Sequence, residues 1–598
     1  MNLRRTIDSY LENRKVTVRY AGQEYNKGTN KGCVQGSIGG PILWNLLLDP
    51  LLRKLEQNGV FCQAFADDVV LIFDGDTALD IETQANATLE HVRTWGIDHK
   101  LKFAPHKTCA MVITRKLKFD APRLSMGGVN IAMSNEIKIL GLTIDHKLTF
   151  NQHVAGVCRK ALNMYKKLAR TARVSWGLHP EVIRTIYTAA VEPVVLYAAS
   201  AWAPAAKKLG VIKQLNTVQR GFAQKICKAY RTVSLNSALL LAGMLPLDLR
   251  VQEAASLYEA KKGVPQSALL DREVERMSSA MEAPHPAEHS DLEVISLVDQ
   301  QQVDSYSNYQ VRIFTDGSKI GGKVGAALSI WKGETEIKAH KLALSEQCTV
   351  YQAELLALCK ATREITASRE KTFGIYSDSM AALQTIQNRK CFHPLAVEAR
   401  DNLRTSSRQG KMVTLHWIKA HAGLEGNERA DVLAKEAAVG SKRKPNYDRC
   451  PVSFVKRAIR TATIEEWNRR YVDSDTASGT KLFFPDAVNA YKMVRKIQPT
   501  GIRTQLMTGH GGFSEYLHRF KCKESPSCIC DPAVRETVPH ILLECPVHDQ
   551  MRFDLEMKLN LNLKLANMKE LITSANREEF LNYCEKICKQ VAKRNESS

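Results

Sequence analysis

Apolar positions recur with a different period in successive parts of the chain. In residues 1–150, "ILWNLLLDPLLRKLEQ" repeats apolar residues at helical spacing. "VFCQAFADDVVLIF" gives two runs that both read as buried strands, with Asp67 and Asp68 between them. Residues 151–262 read as helical, with periodic apolar positions in "VIRTIYTAAVEPVVLYAASAW". Residues 263–308 are polar, and "EAPHPAEHSDLE" predicts a linker. Residues 309–440 alternate strand, helix, strand, helix, as an α/β unit does. Residues 441–598 are helix-rich and interrupted by a Cys/His cluster. There is no internal repeat and no long low-complexity tract. No run approaches 18 consecutive apolar residues, so no membrane span or membrane partner is expected. The start, "MNLRRTIDSYLENRKV", has no apolar stretch of the kind a secretory signal needs.

Charge narrows the choice of partner. The 598 residues are enough for three or four domains, and carry 84 Lys+Arg against 63 Asp+Glu, a net +21. The excess is uneven: residues 151–250 hold 15 Lys/Arg and 3 Asp/Glu. A polyanion, most simply nucleic acid, is the expected partner. Fifteen cysteines are mostly scattered singly in apolar settings (Cys109, Cys158, Cys227, Cys359), which points to a reducing, intracellular compartment and against a disulfide framework.

The candidate chemistry is concentrated in carboxylates. "VRIFTDGS" is a strand reaching Asp316, and "TVYQAELLALCKATREI" is a helix containing Glu354. "FGIYSDSMAAL" is a strand ending at Asp378, and "LHWIKAHAGLEGNERADVLAKEAA" leads through a glycine-bearing loop into a helix carrying Asp431, with Asn427 placed to cap it. Each acid falls at a strand end or in the first turns of a helix, positions that converge at one edge of a sheet. Four such acids repel one another unless cations are present, so convergence implies two Mg²⁺ ions acting on a phosphodiester. With "TDGS", "QAEL", "YSDS" and "HAGLEGNERAD" in this order, the region resembles ribonuclease H. The resemblance implies Asp316, Glu354, Asp378 and Asp431 as metal-binding catalytic acids. It implies His421 as an aid to proton transfer or product release, and Ser318, Gln352 and Asn427 as neighbours of the hybrid backbone.

Upstream, "GCVQGSIGGPILWNLLLDPLL", "FADD", "LKFAPHKTCAMVITRK" and "IKILGLTID" together resemble the reverse transcriptase of non-LTR (LINE-type) retrotransposons. That likeness implies Asp67 and Asp68 as Mg²⁺-binding catalytic acids and Phe65 as part of the same hairpin. Gln35 and Gly36 would lie beside template and nucleotide, Lys107 near the departing pyrophosphate, and Leu140 and Gly141 in the hairpin that grips the primer. The family places a third acid on an earlier strand. Before Gln35 this sequence offers only Asp8, Glu12 and Glu24, none in the apolar context such a strand has. The expectation is a chain that starts after that motif, lacks most of the fingers, and polymerises weakly or not at all.

"SPSCICDPAVRETVPHILLECPVH" offers Cys528, Cys530, His540 and Cys545, three thiolates and an imidazole suited to tetrahedral structural Zn²⁺. The spacing between the first two is tighter than usual, and Cys522 and His548 stand as alternates. The same arrangement follows ribonuclease H in this retrotransposon class.

The sequence therefore predicts an α/β multidomain chain: a partial right-hand polymerase palm (1–150), a basic helical thumb (151–262), a linker (263–308), a ribonuclease H-like α/β domain (309–440), and a helical C-terminal region with a zinc motif (441–598). The resemblance implies an RNA-directed DNA polymerase with ribonuclease H activity. Its partners would be an RNA template, a DNA primer, dNTPs and RNA–DNA hybrid, and it would act in the nucleus. The rival expectation is a decayed or co-opted copy that binds nucleic acid without catalysis.

Overall fold

The computed structural model describes residues 3–29, 32, 36–171, 177–279, 292–297, 302, 308–420, 423–440 and 444–596. Two units separate, residues 1–153 and 154–598.

The first unit is built on helix Gly39–Gln57, whose Leu48, Leu51 and Leu55 meet Leu89 and Val92 of helix Ala78–Asp98 in a small core with Met126 and Ile131. The acidic hairpin Phe61–Phe65/Asp68–Ile72 lies on this core by one face only: Cys62, Ala64 and Leu71 pack inward, while Phe61, Phe65 and Ile72 are exposed. This corrects the reading of both strands as buried. Among the described residues every strand of this unit pairs with just one other, so the hairpin has no sheet neighbour to cover its outer face. Asp8 lies on helix Leu3–Leu11 with Glu12 just beyond it, and Glu24 lies on the exposed hairpin Lys15–Tyr20/Gln23–Gly28, bonded to Arg19.

The second unit opens with helices, among them Leu209–Ile226 and Leu247–Lys262. No single described helix is long and apolar enough to cross a membrane. The bent pair Pro180–Leu196 and Ala199–Lys207 passes on length and composition together, and its Ile183, Tyr187, Val191, Val195 and Trp202 are buried in this helical core.

A six-stranded sheet follows. Its strands are β1 (Val294–Leu297), β2 (Val311–Ile320), β3 (Lys323–Lys332), β4 (Thr335–Leu344), β5 (Thr372–Ser377) and β6 (Met412–Ile418). The spatial order is β1-β6-β5-β2-β3-β4, with β1, β6, β5 and β2 parallel and β2-β3-β4 an antiparallel meander. Helices α1 (Val350–Ala367), α2 (Met380–Gln387) and α3 (Pro394–Arg408) share the larger core with the sheet, and α4 (Glu425–Gly440) presses on β2 and β3. Glycines permit that last approach. A β-carbon on Gly325 would sit 2.3 Å from the Ala434 carbonyl, and one on Gly426 would sit 2.3 Å from the Phe314 ring.

The linker expectation for 263–308 is corrected at two points. Val294–Leu297 adds an edge strand along β6, with Leu297 buried. Val274 pairs with Cys450, and the Glu275 N–H donates to the Cys450 carbonyl. The segment is thus partly woven into the domain it precedes. Of the singly placed cysteines, Cys158, Cys227 and Cys359 are buried as read, but Cys109 is exposed.

Candidate active site and metal centre

Strand β2 delivers Asp316 to the point where β5 ends. Thr315 pairs with Ser377, and Asp378 follows at once. Glu354 arrives from the other direction, in the second turn of α1. That helix starts where it does because Thr349 and Gln352 form a reciprocal capping box. Gly317 lets the strand pass close to the helix: a β-carbon there would meet the Glu354 nitrogen at 2.7 Å. Its N–H donates to Glu354 Oε1 at 2.9 Å, fixing the carboxylate. The Trp417 indole donates to the Asp378 carbonyl at 2.9 Å and holds the end of β5.

Carboxylate oxygens of Asp316, Glu354 and Asp378 all lie within 4.8 Å of one another. Asp316 and Glu354 are buried, and Glu354 Oε2 has no hydrogen-bond partner. Burial, with Asp378 and Asp431 nearby, raises the Asp316 carboxyl to about 7. Burial and the same crowding hold Glu354 well above its ordinary value. Asp431, in the second turn of α4, is close enough to act on Asp316 and is itself bonded to Lys435 at 2.6 Å. An orphaned buried oxygen amid hard carboxylate donors fits a divalent oxygen-seeking cation.

Other residues expected here have different surroundings. Ser318 is half-buried two residues beyond Asp316 on the strand, opposite Gly325. Gln352 is buried: its amide caps α1 and donates to Glu275 Oε1 at 2.8 Å and to the Arg449 carbonyl. Asn427 is corrected from a helix cap to a first-turn residue, because α4 begins two residues earlier; its Oδ1 is buried without a partner. His421 and Gln35 lie outside the described residues.

In the first unit Asp67 and Asp68 occupy the hairpin tip, exposed, with Ala66 left-handed at φ +53°. The Trp44 indole donates to the Ala66 carbonyl at 2.6 Å and ties the tip to its supporting helix. Among the described residues no third ligand-bearing side chain joins the pair. Gly36, at φ +83°, precedes Ser37, whose hydroxyl accepts from the Gly40 N–H at the start of helix Gly39–Gln57. Lys107 is exposed at the end of a short turn of helix. Leu140 and Gly141, at φ +48° and +87°, form the two-residue turn between strands Glu136–Ile139 and Leu142–Asp145, a turn in which both residues have positive φ.

In the C-terminal region Cys528, Cys530, His540 and Cys545 also converge within 4.8 Å. Cys528 and Cys545 sulfurs are 3.7 Å apart, and Cys530 Sγ is 3.1 Å from His540 Nε2. His540 Nδ1 lies 3.4 Å from Glu544. Desolvation and the neighbouring sulfurs push the Cys530 thiol up to about 12. The alternates stand aside: Cys522 is exposed, and neither it nor the buried His548 joins the group. Trp44, Trp417 and Lys435 were not singled out from the sequence. Nothing in a lone tryptophan or a surface-helix lysine marks it as a support until the fold places it.

Residues 1–144 match the family model for reverse transcriptase (RNA-dependent DNA polymerase), and residues 308–439 match that for RNase H. The chain is similar to Pol polyproteins of type-1 retrotransposable elements. It is 30% identical over 259 residues to a putative 115 kDa protein in type-1 retrotransposable element R1DM of Drosophila melanogaster, covering 43% of this chain and 25% of that protein. It is 33% identical over 239 residues to a retrovirus-related Pol polyprotein from type-1 retrotransposable element R1 2 of Nasonia vitripennis, covering 39% of this chain and 58% of that one. The chain thus spans a quarter to just over half the length of these two relatives. Among solved structures, LC11-RNase H1 in complex with RNA/DNA hybrid is 21% identical, covering 21% of this chain and 96% of its own, with a TM-score of 0.19.

Proposed function

We propose that this chain hydrolyses the RNA strand of RNA–DNA hybrids at Asp316, Glu354, Asp378 and Asp431, in the service of copying a LINE-type element. The observation that carries this reading is the convergence of three carboxylates within 4.8 Å around the partnerless Glu354 Oε2, with Asp431 alongside. Mg²⁺ bound there would supply an activated water and charge compensation for the departing oxygen. The chain's own residues do the positioning. The Gly317 N–H and the capped start of α1 fix Glu354, Trp417 fixes Asp378, and Lys435 offsets the charge of Asp431. His421 is assigned proton transfer or product release on the strength of the family likeness alone. Cys528, Cys530, His540 and Cys545 would hold a structural Zn²⁺, since all four positions are filled by protein.

The test is cleavage of a labelled RNA–DNA hybrid by the full chain in Mg²⁺, set beside Asp431→Asn. Loss of cleavage in the variant with retained hybrid binding is the expected result. Binding without cleavage in both proteins would leave the purely binding role in its place.

The reverse transcriptase segment is assigned to handling the RNA template, DNA primer and dNTPs. Among the described residues, two exposed carboxylates leave a two-metal polymerase site short of a ligand. Primer extension by this chain is therefore expected to match the Asp67→Ala/Asp68→Ala control. Extension well above the control would mean that another acid, Glu24 among the candidates, completes the site.

A further inference from the structure

Beyond the end of β2 lies a cavity of about 660 Å³ that the catalytic reading does not use. The β2–β3 hairpin contributes Lys319 and Lys323, the segment just after β4 contributes Glu346, and helix Val452–Val472 contributes Phe454 and Arg457. Arg272 completes the wall from the segment before the sheet. Arg272, Phe454 and Arg457 all lie outside the residues that match RNase H.

This wall is assembled by backbone contacts. After α4 the chain returns along β4, where Leu344 pairs with Tyr447, the Ser345 N–H donates to the Tyr447 carbonyl, and the Asn446 N–H donates to the Ala343 carbonyl at 2.7 Å. That course brings helix Val452–Val472 beside the sheet. Both guanidiniums then stack on one ring, Arg272 at 5.6 Å and Arg457 at 5.5 Å from the Phe454 centroid. The Lys319 ammonium is held by the Glu346 and Cys348 carbonyls.

The charge balance is one-sided. Four cations meet one carboxylate, and among the described residues none of the four is in an ion pair. Two of them are arginines oriented on an aromatic face, which favours planar, multidentate anion recognition. Lys319 is three residues along the same strand from Asp316, roughly 10 Å at about 3.3 Å per residue. That is about three base-pair steps at 3.4 Å each.

The geometry points to this cavity as a phosphate-backbone site, which grips the hybrid a few steps from the carboxylates with residues from both flanks of the ribonuclease H domain. The inference rests on the hybrid-cleaving reading for its ligand. An acidic peptide is the rival occupant; the backbone of the duplex is favoured because the cavity begins on the strand that carries Asp316.

The experiment measures hybrid binding by fluorescence anisotropy against salt concentration, using the full chain with Asp378→Asn to prevent turnover. Adding Arg272→Ala and Arg457→Ala should weaken binding about tenfold near physiological salt. It should also reduce the slope of log K against log salt by about 1 to 2, since each phosphate contact contributes about 0.9. The charge-keeping pair Arg272→Lys and Arg457→Lys should hold most of that slope. An unchanged slope in the alanine variant overturns the proposal, as does equal loss in the alanine and lysine variants, which would mark the arginines as structural. Displacement of the hybrid by poly-glutamate from the parent but not from the alanine variant would make the cavity an acidic-peptide site and also overturn it. The two readings fail separately. A chain that never cleaves hybrid but shows the slope change loses the catalytic reading and keeps the cavity, and the converse result does the reverse.

Discussion

Asp316→Asn should abolish hybrid cleavage and, at the same time, stabilise the cation-free protein. The catalytic loss follows from removing one of three converging carboxylates, the set that would hold the metal ions. Several kcal/mol of transition-state stabilisation depend on such ions, so a fall of roughly a thousandfold, about 4 kcal/mol, is expected. The gain in stability follows from the same crowding. Asp316 is buried, and its pKa rises from an ordinary value near 3.8 to about 7 in the folded chain. Between those values the folded state binds a proton that the unfolded state has released. Stability in the absence of divalent cations therefore falls as pH rises from about 4 to about 7. Above pH 7 the folded chain carries the full cost of ionising this buried group, on the order of 4 kcal/mol. Asparagine cannot ionise and escapes that cost. Thermal melts in chelator at pH 5 and pH 8 check the point. The parent should melt lower at pH 8, the variant should show the smaller pH effect, and Mg²⁺ should raise the parent more than the variant at pH 8. A variant that melts lower than the parent at pH 8 in chelator would show that the carboxylate is compensated by something other than a cation.

How much of this was legible beforehand depends on whether a residue's role is local. The carboxylates were readable because each is tied to an element boundary that the sequence itself announces: β2 and β5 are apolar runs, and Thr349-x-x-Gln352 is a capping signature. The same local logic does not reveal the burial of Gln352 and Asn427. Both were placed near ligand by their motifs, yet the packed chain buries them, Gln352 against Glu275 from a segment read as linker. Glu275 could not be recognised in advance. Its partners Gln352, His393 and Tyr447 come from three separate parts of the sequence, and only the fold collects them. The edge strand Val294–Leu297 escaped for another reason: four residues are too few to establish a period beside a long polar run. The acidic hairpin shows the limit of composition. Its apolar runs suit two buried faces, but the described residues cover only one.

Removal of zinc should unfold the region around Cys528–Cys545 without disturbing the ribonuclease H core. The four ligands come from a short hairpin, Ser527–Cys528 with Asp531–Arg535, and from a one-and-a-half-turn helix, Val538–Leu543, with Cys545 just beyond. Elements this small do not hold themselves, since a lone hairpin or a six-residue helix is marginal in water. Their other anchorage includes buried Ile541 and Leu542, the Tyr583 hydroxyl, from helix Arg577–Glu596, donating to the Leu542 carbonyl at 2.5 Å, and buried Glu536, which accepts from Ser514, Arg594 and Asn595. Without metal, three thiols and an imidazole share one small space, and the crowding that pushes Cys530 up to about 12 opposes thiolate formation. A bound Zn²⁺ reverses that sign, and structural zinc contributes about 10–16 kcal/mol in small isolated modules. The purified chain is therefore expected to carry one zinc per molecule by elemental analysis. A strong zinc chelator, or Cys545→Ser, should release it and expose residues near 525–550 to protease. Hydrogen exchange in β2, β5 and α1 should stay slow. Equal protease resistance with and without zinc would mean that the buried contacts to helix Arg577–Glu596 suffice, and that the Cys/His group is a packing cluster instead of a metal centre.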